Sequence, residues 1–255
     1  MDRNNNTRPI ALVTGTSRRA GIGAAIAVAL AKSGWDVAIT FWRPYDEAMP
    51  WESHPDDARV ILNEVRSAGS EVLAIEADLA ESLTPGRVFD QVENELGPVT
   101  AMVMSHCHSV DSNILSTSIE SFDQHFTINA RATWLLLKTF GERYQGPFGR
   151  GRVIALTSDH TVENLPYGAS KGALDRIVLA AAQEFKHLGV TANVINPGAI
   201  DTGWMSEELK AEVRERTPLG RLGTQEDCAN LVCFLCSEKG GWINGQLLYS
   251  DGGVT

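Results

Sequence analysis

The stretch Ala11-Leu-Val-Thr-Gly15-Thr-Ser-Arg-Arg-Ala-Gly21-Ile-Gly23, which leads into an alanine-rich run ending at Lys32, decides the fold. Its apolar start predicts a buried strand, its glycines a tight turn, and its alanines a helix. Glycines let a backbone approach a pyrophosphate closely, and a helix N-terminus offers free N–H groups and a favourable dipole. The stretch therefore predicts a strand–turn–helix unit that binds a dinucleotide, although its spacing is not Gly-x-Gly-x-x-Gly.

The rest of the chain repeats this alternation of strand and helix. Apolar runs without strict alternation are typical of strands that are buried on both faces. We therefore predict an α/β fold of the Rossmann type, a doubly wound parallel seven-stranded sheet in a single catalytic domain over residues 9–255. The predicted strands are Ile10–Val13, Val37–Phe41, Val72–Ala77, Ala101–Met104, Val153–Thr157, Thr191–Ile195 and Gln246–Tyr249. The predicted helices are Ile22–Lys32, Asp56–Ala68, Arg87–Leu96, Ile119–Tyr144, Ala169–His187 and Gln225–Cys236.

Three segments fall outside this alternation. Residues 1–8 are expected to form a disordered N-terminal tail. The segment Arg43–Pro55 contains three prolines and predicts an enlarged loop after the second strand. Residues 199–223 predict a partly helical excursion that acts as a lid.

Composition and charge limit the classes of function. The chain has 255 residues, 22 basic and 32 acidic, and its net charge of −10 argues against nucleic-acid binding. We see no signal peptide and no apolar run near the roughly 20 residues of a membrane span, which predicts a cytoplasmic protein without a membrane partner. Four cysteines are too few for a disulfide scaffold, and three of them lie at helical spacing in an apolar segment, as buried thiols do.

The end of the second strand bears on the choice of cofactor. A site that prefers NAD(H) places a carboxylate there for the ribose 2′-hydroxyl, but Phe41-Trp42-Arg43 offers no acid before Asp46. Arg18, Arg19 and Arg43 instead suit a 2′-phosphate, which a guanidinium binds through two parallel hydrogen bonds. The sequence favours NADP(H) over NAD(H), and the alternative is that these arginines are surface residues without a ligand.

A tyrosine and a lysine one helical turn apart form the candidate reaction centre. Tyr167-Gly-Ala-Ser-Lys171 opens a helix, and Ser158 follows a predicted strand. A phenol with a pKa of about 10 becomes a useful acid or base when an ammonium group lowers that pKa. A serine hydroxyl nearby can hold a substrate oxygen.

Over Ala11–Gly253 the chain resembles the short-chain dehydrogenase/reductase family, and within it the group similar to 3-oxoacyl-acyl-carrier-protein reductases. The resemblance implies that Tyr167 is the general acid, that Ser158 binds the carbonyl oxygen, and that Lys171 holds the nicotinamide ribose and lowers the pKa of Tyr167. It also implies that Asn129, in a long crossover helix, positions a proton-relay water for Lys171. The landmarks that carry it are Thr14-Gly15 with Gly21-Ile-Gly23, Ala77-Asp78-Leu79, Asn129, Ser158, Tyr167-x-x-x-Lys171, Asn196-Pro197-Gly198 and Asp251-Gly252-Gly253.

The arginines and the resemblance together predict an NADP(H)-dependent enzyme that interconverts a carbonyl and a secondary alcohol of a small molecule, and the resemblance implies a homotetramer. Asp78 would accept a hydrogen bond from the adenine amino group, and the residues after the sixth strand would line the amide side of the nicotinamide. Together with the arginines, the residues expected to bind the cofactor are Gly15, Ser17, Arg18, Arg19, Gly21, Ile22, Gly23, Arg43, Asp78, Leu79, Tyr167, Lys171, Pro197, Gly198, Ile200 and Thr202.

Three features depart from the family pattern. Five residues separate Gly15 from Gly21, which is more than usual, and Ser158 stands nine residues before Tyr167, which is fewer than usual. The Asn-Asn-Ala-Gly that usually follows the fourth strand is replaced by Met104-Ser105-His106-Cys107. This replacement motivates an alternative, namely a non-enzymatic or regulatory relative with weakened cofactor binding. Another alternative within the enzyme class is reduction of a 3-oxoacyl thioester on a carrier protein.

Two further motifs favour other chemistry only weakly. Gly168-Ala-Ser170-Lys-Gly172 matches the nucleophile elbow of hydrolases, but no strand directly precedes it, and the only later histidine is His187. His106, His108 and Asp111 could suggest a metal cluster, but they are equally typical of a loop that lines a pocket, and we assign no metal.

Overall fold

A computed structural model describes residues 8–51 and 53–255. Within these residues seven parallel strands form one sheet in the order β3-β2-β1-β4-β5-β6-β7, which confirms the predicted doubly wound α/β fold. The strands are β1 Ile10–Thr14, β2 Asp36–Phe41, β3 Val72–Glu76, β4 Val99–Met104, β5 Arg152–Leu156, β6 Thr191–Asn196 and β7 Leu247–Tyr249.

Helices connect the strands as right-handed crossovers of a parallel sheet require. Most begin within a few residues of the predicted positions, because the helical periodicity that marks them also forms their buried faces. They are α1 Ile22–Lys32, α2 Arg43–Glu47, α3 Asp57–Ser67, α4 Thr84–Glu95, α5 Ile119–His125, α6 Ala132–Arg143, α7 Leu165–Glu184, α8 Glu207–Arg216 and α9 Gln225–Cys236, with a π-helix over Phe126–Arg131 and a 3₁₀ turn over Phe185–Leu188.

Two hydrophobic cores lie on opposite faces of the sheet. Successive strand residues point to opposite faces, so Leu12 packs under α4, α6 and α7, whereas Val13 packs under α1, α3 and α9. Cys228 and Cys236 of α9 are buried in the second core as free thiols, as their helical spacing predicts.

The segments outside the regular alternation differ in part from the sequence-based expectation. The predicted loop after β2 begins with the short helix α2, and α8 forms the helical part of the predicted lid. The single long helix predicted over Ile119–Tyr144 is interrupted by the π-helix, in which backbone hydrogen bonds skip one residue more than in an α-helix. Of the predicted tail, residues 1–7 lie outside the described residues, and Arg8 forms an ion pair with Asp36 of β2.

The strand order reverses between β1 and β4, which both lie at the centre of the sheet. In open parallel sheets, ligands bind in the crevice outside the carboxyl ends of the strands at this reversal. The register pairs Thr14 with Met104, so the glycine turn after β1 and the altered segment after β4 leave the sheet side by side. No helix among the described residues is long and apolar enough to cross a membrane.

Candidate active site

The glycine turn after β1 packs tightly against its neighbours. Gly15 has a φ of +73°, and a Cβ atom placed on it would come within 2.5 Å of the His106 backbone nitrogen. A Cβ atom on Gly23 would come within 2.6 Å of the Gly15 carbonyl oxygen. Both positions therefore require glycine, for a left-handed backbone at Gly15 and for close backbone approach at both.

The N-terminus of α1 has the form of an anion site. Gly21 is the N-cap, and within the described residues no side chain accepts a hydrogen bond from the first turn of this helix. Several other helices also lack a side-chain cap, but at α1 the uncapped terminus follows the glycine turn and faces the cavity. The unpaired N–H groups and the positive end of the dipole at α1 suit a pyrophosphate, so the residues of this turn fit a dinucleotide.

A cavity of about 200 Å³ opens in front of this helix terminus. Asp78 lies on its wall, with its Oδ1 atom accepting a hydrogen bond from the Ala80 backbone N–H at 2.9 Å. The predicted cofactor residues that line the cavity are Gly15, Ser17, Arg18, Gly21, Ile22, Asp78, Leu79 and Thr202.

The three arginines predicted for a 2′-phosphate do not come together. Arg18 lines the cavity, but Arg19 reaches away to Glu64 at 3.1 Å, and Arg43 pairs with Glu47 at 2.6 Å. The Arg19–Glu64 and Arg43–Glu47 ion pairs are both well exposed. Glu64 is distant from Arg19 in the sequence, whereas Glu47 lies one helical turn after Arg43. Gly23, Pro197, Gly198 and Ile200 also lie outside the cavity lining, where Gly23 and Gly198 serve close packing.

Tyr167 and Lys171 lie one turn apart in α7, as predicted. The Lys171 Nζ atom is 5.7 Å from the centre of the Tyr167 ring and donates a hydrogen bond of 2.8 Å to the Leu156 carbonyl oxygen at the end of β5. Ser158 follows β5 and lies beside the Tyr167 hydroxyl. Strand β5 and helix α7 thus bring together three of the four predicted catalytic residues.

Burial controls the protonation of this pair. It raises the pKa of Tyr167 well above its usual value; the nearby Cys107 adds to the rise, and the Ser158 hydroxyl opposes it. This direction is opposite to the lowering by Lys171 that the resemblance implies, and burial lowers the pKa of the Lys171 ammonium group as well. In the structure the tyrosine is therefore a neutral phenol at neutral pH.

Asn129 occupies the π-helix and binds the segment after β4. Its Oδ1 atom accepts a hydrogen bond from the His108 N–H at 2.7 Å, and its Nδ2 atom donates to the His108 carbonyl oxygen and to Ser170 Oγ, both at 2.9 Å. The side chain is fully buried. Asn129 therefore joins the segment after β4 to α7, whereas its predicted partner Lys171 binds Leu156 instead.

The altered segment after β4 has bonds of its own. The His106 ring is buried and its Nδ1 atom is hydrogen bonded to the Thr14 hydroxyl at 2.7 Å, which ties the segment to the end of β1. Burial and the nearby Lys171 lower the pKa of His106 to about 3, and burial with the neighbouring His125 lowers that of His108 to about 4. Both imidazoles are thus neutral at physiological pH.

The cavity is also lined by residues that the sequence analysis did not assign to the site, among them Tyr45, Asp46, Trp51 and Cys107. The first three lie in the segment that was predicted as a plain loop. Their signal was the combination of two aromatic residues and an acid directly after the strand that borders the cofactor site, which is unusual for a solvent-exposed loop.

The weaker alternatives find little support in the geometry. Ser170 is fully buried inside α7, and its hydroxyl donates to the Tyr167 carbonyl oxygen, which does not suit a nucleophile at a sharp turn. In the part of the chain that the structure describes, no group of three or more histidine, cysteine, aspartate or glutamate side chains is arranged to bind a metal ion.

The reversed strand order and the open helix terminus after the glycine turn define the Rossmann class of dinucleotide-binding folds. A family model described as enoyl-(acyl carrier protein) reductase matches residues 15–255. The chain belongs to the short-chain dehydrogenase/reductase family of oxidoreductases.

Individual relatives match over nearly their whole length. A chloroplastic NADPH-dependent aldehyde reductase-like protein of Arabidopsis thaliana is 33% identical over 256 residues, covering 96% of this chain and 93% of the relative. A short-chain type dehydrogenase/reductase of Picea abies is 33% identical over 258 residues, covering 96% and 91%. The crystal structure of a blue fluorescent protein from a metagenomic library, in complex with NADPH, superposes with a TM-score of 0.86 at 29% identity and covers 97% of this chain and 98% of that one.

Proposed function

We propose that this protein is an NADP(H)-dependent reductase that interconverts a carbonyl group and a secondary alcohol of a small molecule. The observation that carries the proposal is the cluster of Ser158, Tyr167 and Lys171 beside the cavity in front of α1. Cys107 links the two parts, because it lines the cavity and lies close enough to Tyr167 to influence its pKa. An NADPH-dependent relative and a neighbouring structure with bound NADPH support the choice of cofactor.

Different residues of the chain would bind different parts of the cofactor. The N-terminus of α1 would hold the pyrophosphate, Asp78 the adenine and Arg18 the 2′-phosphate. When bound, NADPH supplies the hydride that reduces the carbonyl carbon.

The proton and the charge are handled by side chains. The neutral phenol of Tyr167 donates its proton to the carbonyl oxygen, while the Ser158 hydroxyl donates a hydrogen bond to the same oxygen. The ammonium of Lys171, held in place by the Leu156 carbonyl, stabilises the phenolate that remains on Tyr167. In the reverse direction the phenolate accepts the proton of the alcohol.

Reduction of a 3-oxoacyl thioester on a carrier protein is the second candidate. A solved structure similar to this chain, a 3-oxoacyl-[acyl-carrier protein] reductase from Brucella melitensis, favours it. The net charge of −10 opposes docking of an acidic carrier, so we rank the free small molecule first.

A non-enzymatic or regulatory role is the candidate of a different class. A polar set such as Ser158, Tyr167 and Lys171 has no purpose in a purely structural protein, because burying a lysine and a tyrosine hydroxyl opposes folding unless their polar groups are paired. We therefore infer that the site is retained for catalysis.

The first experiment is a fluorescence titration of the purified protein with NADPH and, separately, NADH, followed by turnover of ketones and aldehydes. Tyr167→Phe should retain cofactor binding and lose turnover by about 10²-fold or more. Tyr249→Phe, an exposed tyrosine in β7, is the matched control and should keep full activity. Unchanged turnover in Tyr167→Phe would overturn the proposed mechanism, and absence of binding by both nucleotides would favour the non-enzymatic role.

The proposed assembly is a homotetramer. Large apolar side chains are exposed in separate parts of the surface, among them Leu115 at 96% and Trp242 at 98%. Contiguous groups of such side chains mark surfaces that pack against another subunit, and the exposed residues Ile114, Leu115 and Ile119 lie close together in the chain. A monomer in light scattering would contradict this assignment.

A further inference from the structure

The Arg18 guanidinium is already engaged by other groups of the chain. Its Nε atom lies 3.2 Å from Oδ1 of Asp46, and its Nη1 atom donates a hydrogen bond of 2.9 Å to the Thr202 carbonyl oxygen. Its flat face lies 4.5 Å from the centre of the Trp51 ring, at cation–π distance. The guanidinium is therefore fixed in position by contacts on two sides and on one face.

The Asp46 carboxylate occupies the position beside Arg18 that an anionic ligand would take. Its side chain is 11% exposed and that of Arg18 is 12% exposed, so the pair is largely withdrawn from water. Oδ1 of Asp46 also accepts a hydrogen bond of 3.2 Å from the Trp51 indole N–H. Burial raises the pKa of Asp46, whereas the Ser17 hydroxyl and Arg18 lower it. The carboxylate thus lies next to Ser17 and Arg18, two residues that were predicted to bind the cofactor.

Asp46 blocks one of the two edges through which the guanidinium can bind a phosphate. A phosphate that binds an arginine through two parallel hydrogen bonds needs two neighbouring nitrogen atoms on one edge. Asp46 takes Nε from one edge, and the Thr202 carbonyl accepts from one of the two N–H groups of Nη1. A 2′-phosphate can bind the Nε edge of Arg18 only after the Asp46 contact breaks.

The charge of the cavity lining also disfavours binding of a phosphate. Among the described residues that line it, Arg18 is the one arginine or lysine, and Asp46 and Asp78 are the acids. The outer arginines cannot compensate, because Arg19 and Arg43 have acidic partners of their own. A doubly charged phosphate that enters the cavity meets a lining with more carboxylates than guanidinium groups.

The segment that carries Asp46 is anchored on its far side. The Tyr45 hydroxyl accepts a hydrogen bond of 3.1 Å from the Ser109 N–H and donates one of 3.3 Å to the Ser109 carbonyl oxygen. The Tyr45 ring also contacts Trp51 edge to face, with 5.7 Å between the ring centres. The carboxylate is therefore held at Arg18 by neighbours on both sides, and moving it away costs contacts.

We propose that Asp46 determines cofactor specificity by competing with the 2′-phosphate for Arg18. The inference rests on the proposed function, since it concerns the cofactor of that same site. NADPH binding breaks the Arg18–Asp46 contact and loses part of its binding free energy in doing so, whereas NADH, which lacks the 2′-phosphate, leaves the contact intact. Asp46 thereby lowers the affinity for NADPH relative to the affinity for NADH.

The test compares Asp46→Asn with the full-length wild-type chain in fluorescence titrations with NADPH, NADH and adenosine 2′,5′-bisphosphate. Asparagine keeps an oxygen for the Trp51 N–H and removes the charge at Arg18. We expect the Kd for NADPH and for the bisphosphate to fall about tenfold, the effect of one charge-assisted hydrogen bond, and the Kd for NADH to stay within about twofold. Asp46→Ser should change the affinities in the same direction, and thermal unfolding of each variant verifies that it is folded.

Glu47→Gln is the matched control. It removes the same charge from the next residue of the same short helix, but its partner Arg43 lies outside the cavity lining. Its affinities should equal those of the wild type. An equal gain in Glu47→Gln would overturn the proposal, because it would show a general charge effect and no competition at Arg18.

The remaining outcomes separate this inference from the proposed function. If Asp46→Asn binds NADPH with the same affinity as the wild type, the proposed competition for Arg18 is wrong. The proposed function is unaffected by that result. Loss of NADH affinity without a gain for NADPH also overturns the competition, and makes Asp46 a ligand of the ribose hydroxyl. Absence of binding by wild type and variants alike overturns the proposed function and this inference together.

Discussion

Replacing Asn129 with alanine tests how the site is held together. The fully buried side chain makes three hydrogen bonds, two to the His108 backbone and one to Ser170 Oγ. Ser170 keeps a second partner in the Tyr167 carbonyl oxygen, so its loss is small. The His108 N–H and carbonyl are left without these partners, at about 1–3 kcal/mol for each group that water cannot reach. Because His108 is half-buried, we expect Asn129→Ala to lower the free energy of unfolding by about 2–4 kcal/mol.

Chemical denaturation measures this loss, with the slope of the unfolding curve verifying two-state behaviour. Asn164→Ala is the matched control, because Asn164 is also buried but makes a single side-chain hydrogen bond, 3.2 Å to Ser109 Oγ. It should cost about 1 kcal/mol. Asn129→Ala should also weaken NADPH binding, since the segment it holds contributes His106 and Cys107 to the cavity. A destabilisation no larger than that of Asn164→Ala would refute the account of Asn129 as the central brace.

Two further predictions concern the tyrosine and the glycine turn. Because burial raises the pKa of Tyr167, the phenol form that reduction requires persists across neutral pH, whereas the phenolate that oxidation requires increases as pH rises. Reduction rates should therefore be flat through neutral pH and oxidation rates should rise with pH; a fall in the oxidation rate between neutral and mildly alkaline pH would contradict this assignment. Gly15→Ala should abolish cofactor binding and destabilise the fold by about 2 kcal/mol or more, because its Cβ would meet the His106 backbone. Gly86→Ala is the control, because Gly86 lies in open space within α4. It should add roughly 0.5–1 kcal/mol of stability in thermal unfolding.

The sequence predicted the parts of the site that local patterns determine. The glycine turn, the strand before it and the helix after it follow from short-range rules, and so does the one-turn spacing of Tyr167 and Lys171. The partners of the arginines could not be predicted in this way. Glu64 lies 45 positions from Arg19, so nothing local in the sequence links them. Asp46 was noted only as the first acid after β2, and its contact with Arg18 depends on how α2 folds back over the cavity.

The protonation states of Tyr167 and Lys171 could not be predicted from local sequence patterns either. The spacing of Tyr167 and Lys171 suggests that the ammonium lowers the pKa of the phenol. The outcome depends on how deeply α7, β5 and the segment around Cys107 bury both groups, which is a property of the packed fold. Burial opposes charge on the tyrosine and on the lysine alike, so the pair is closer to neutral than its sequence implies.

The replaced motif after β4 bears on whether the protein is an enzyme. The resemblance implies that Asn-Asn-Ala-Gly braces the sheet beneath the cofactor, and this chain lacks that motif. Here His106 binds Thr14 at the end of β1, and Asn129 binds both backbone polar groups of His108. The neutral state of the His106 ring, which its low pKa ensures, lets it lie under the glycine turn without adding charge. Because these bonds join the segment to both the glycine turn and α7, the loss of the usual motif does not by itself imply the loss of the cofactor site.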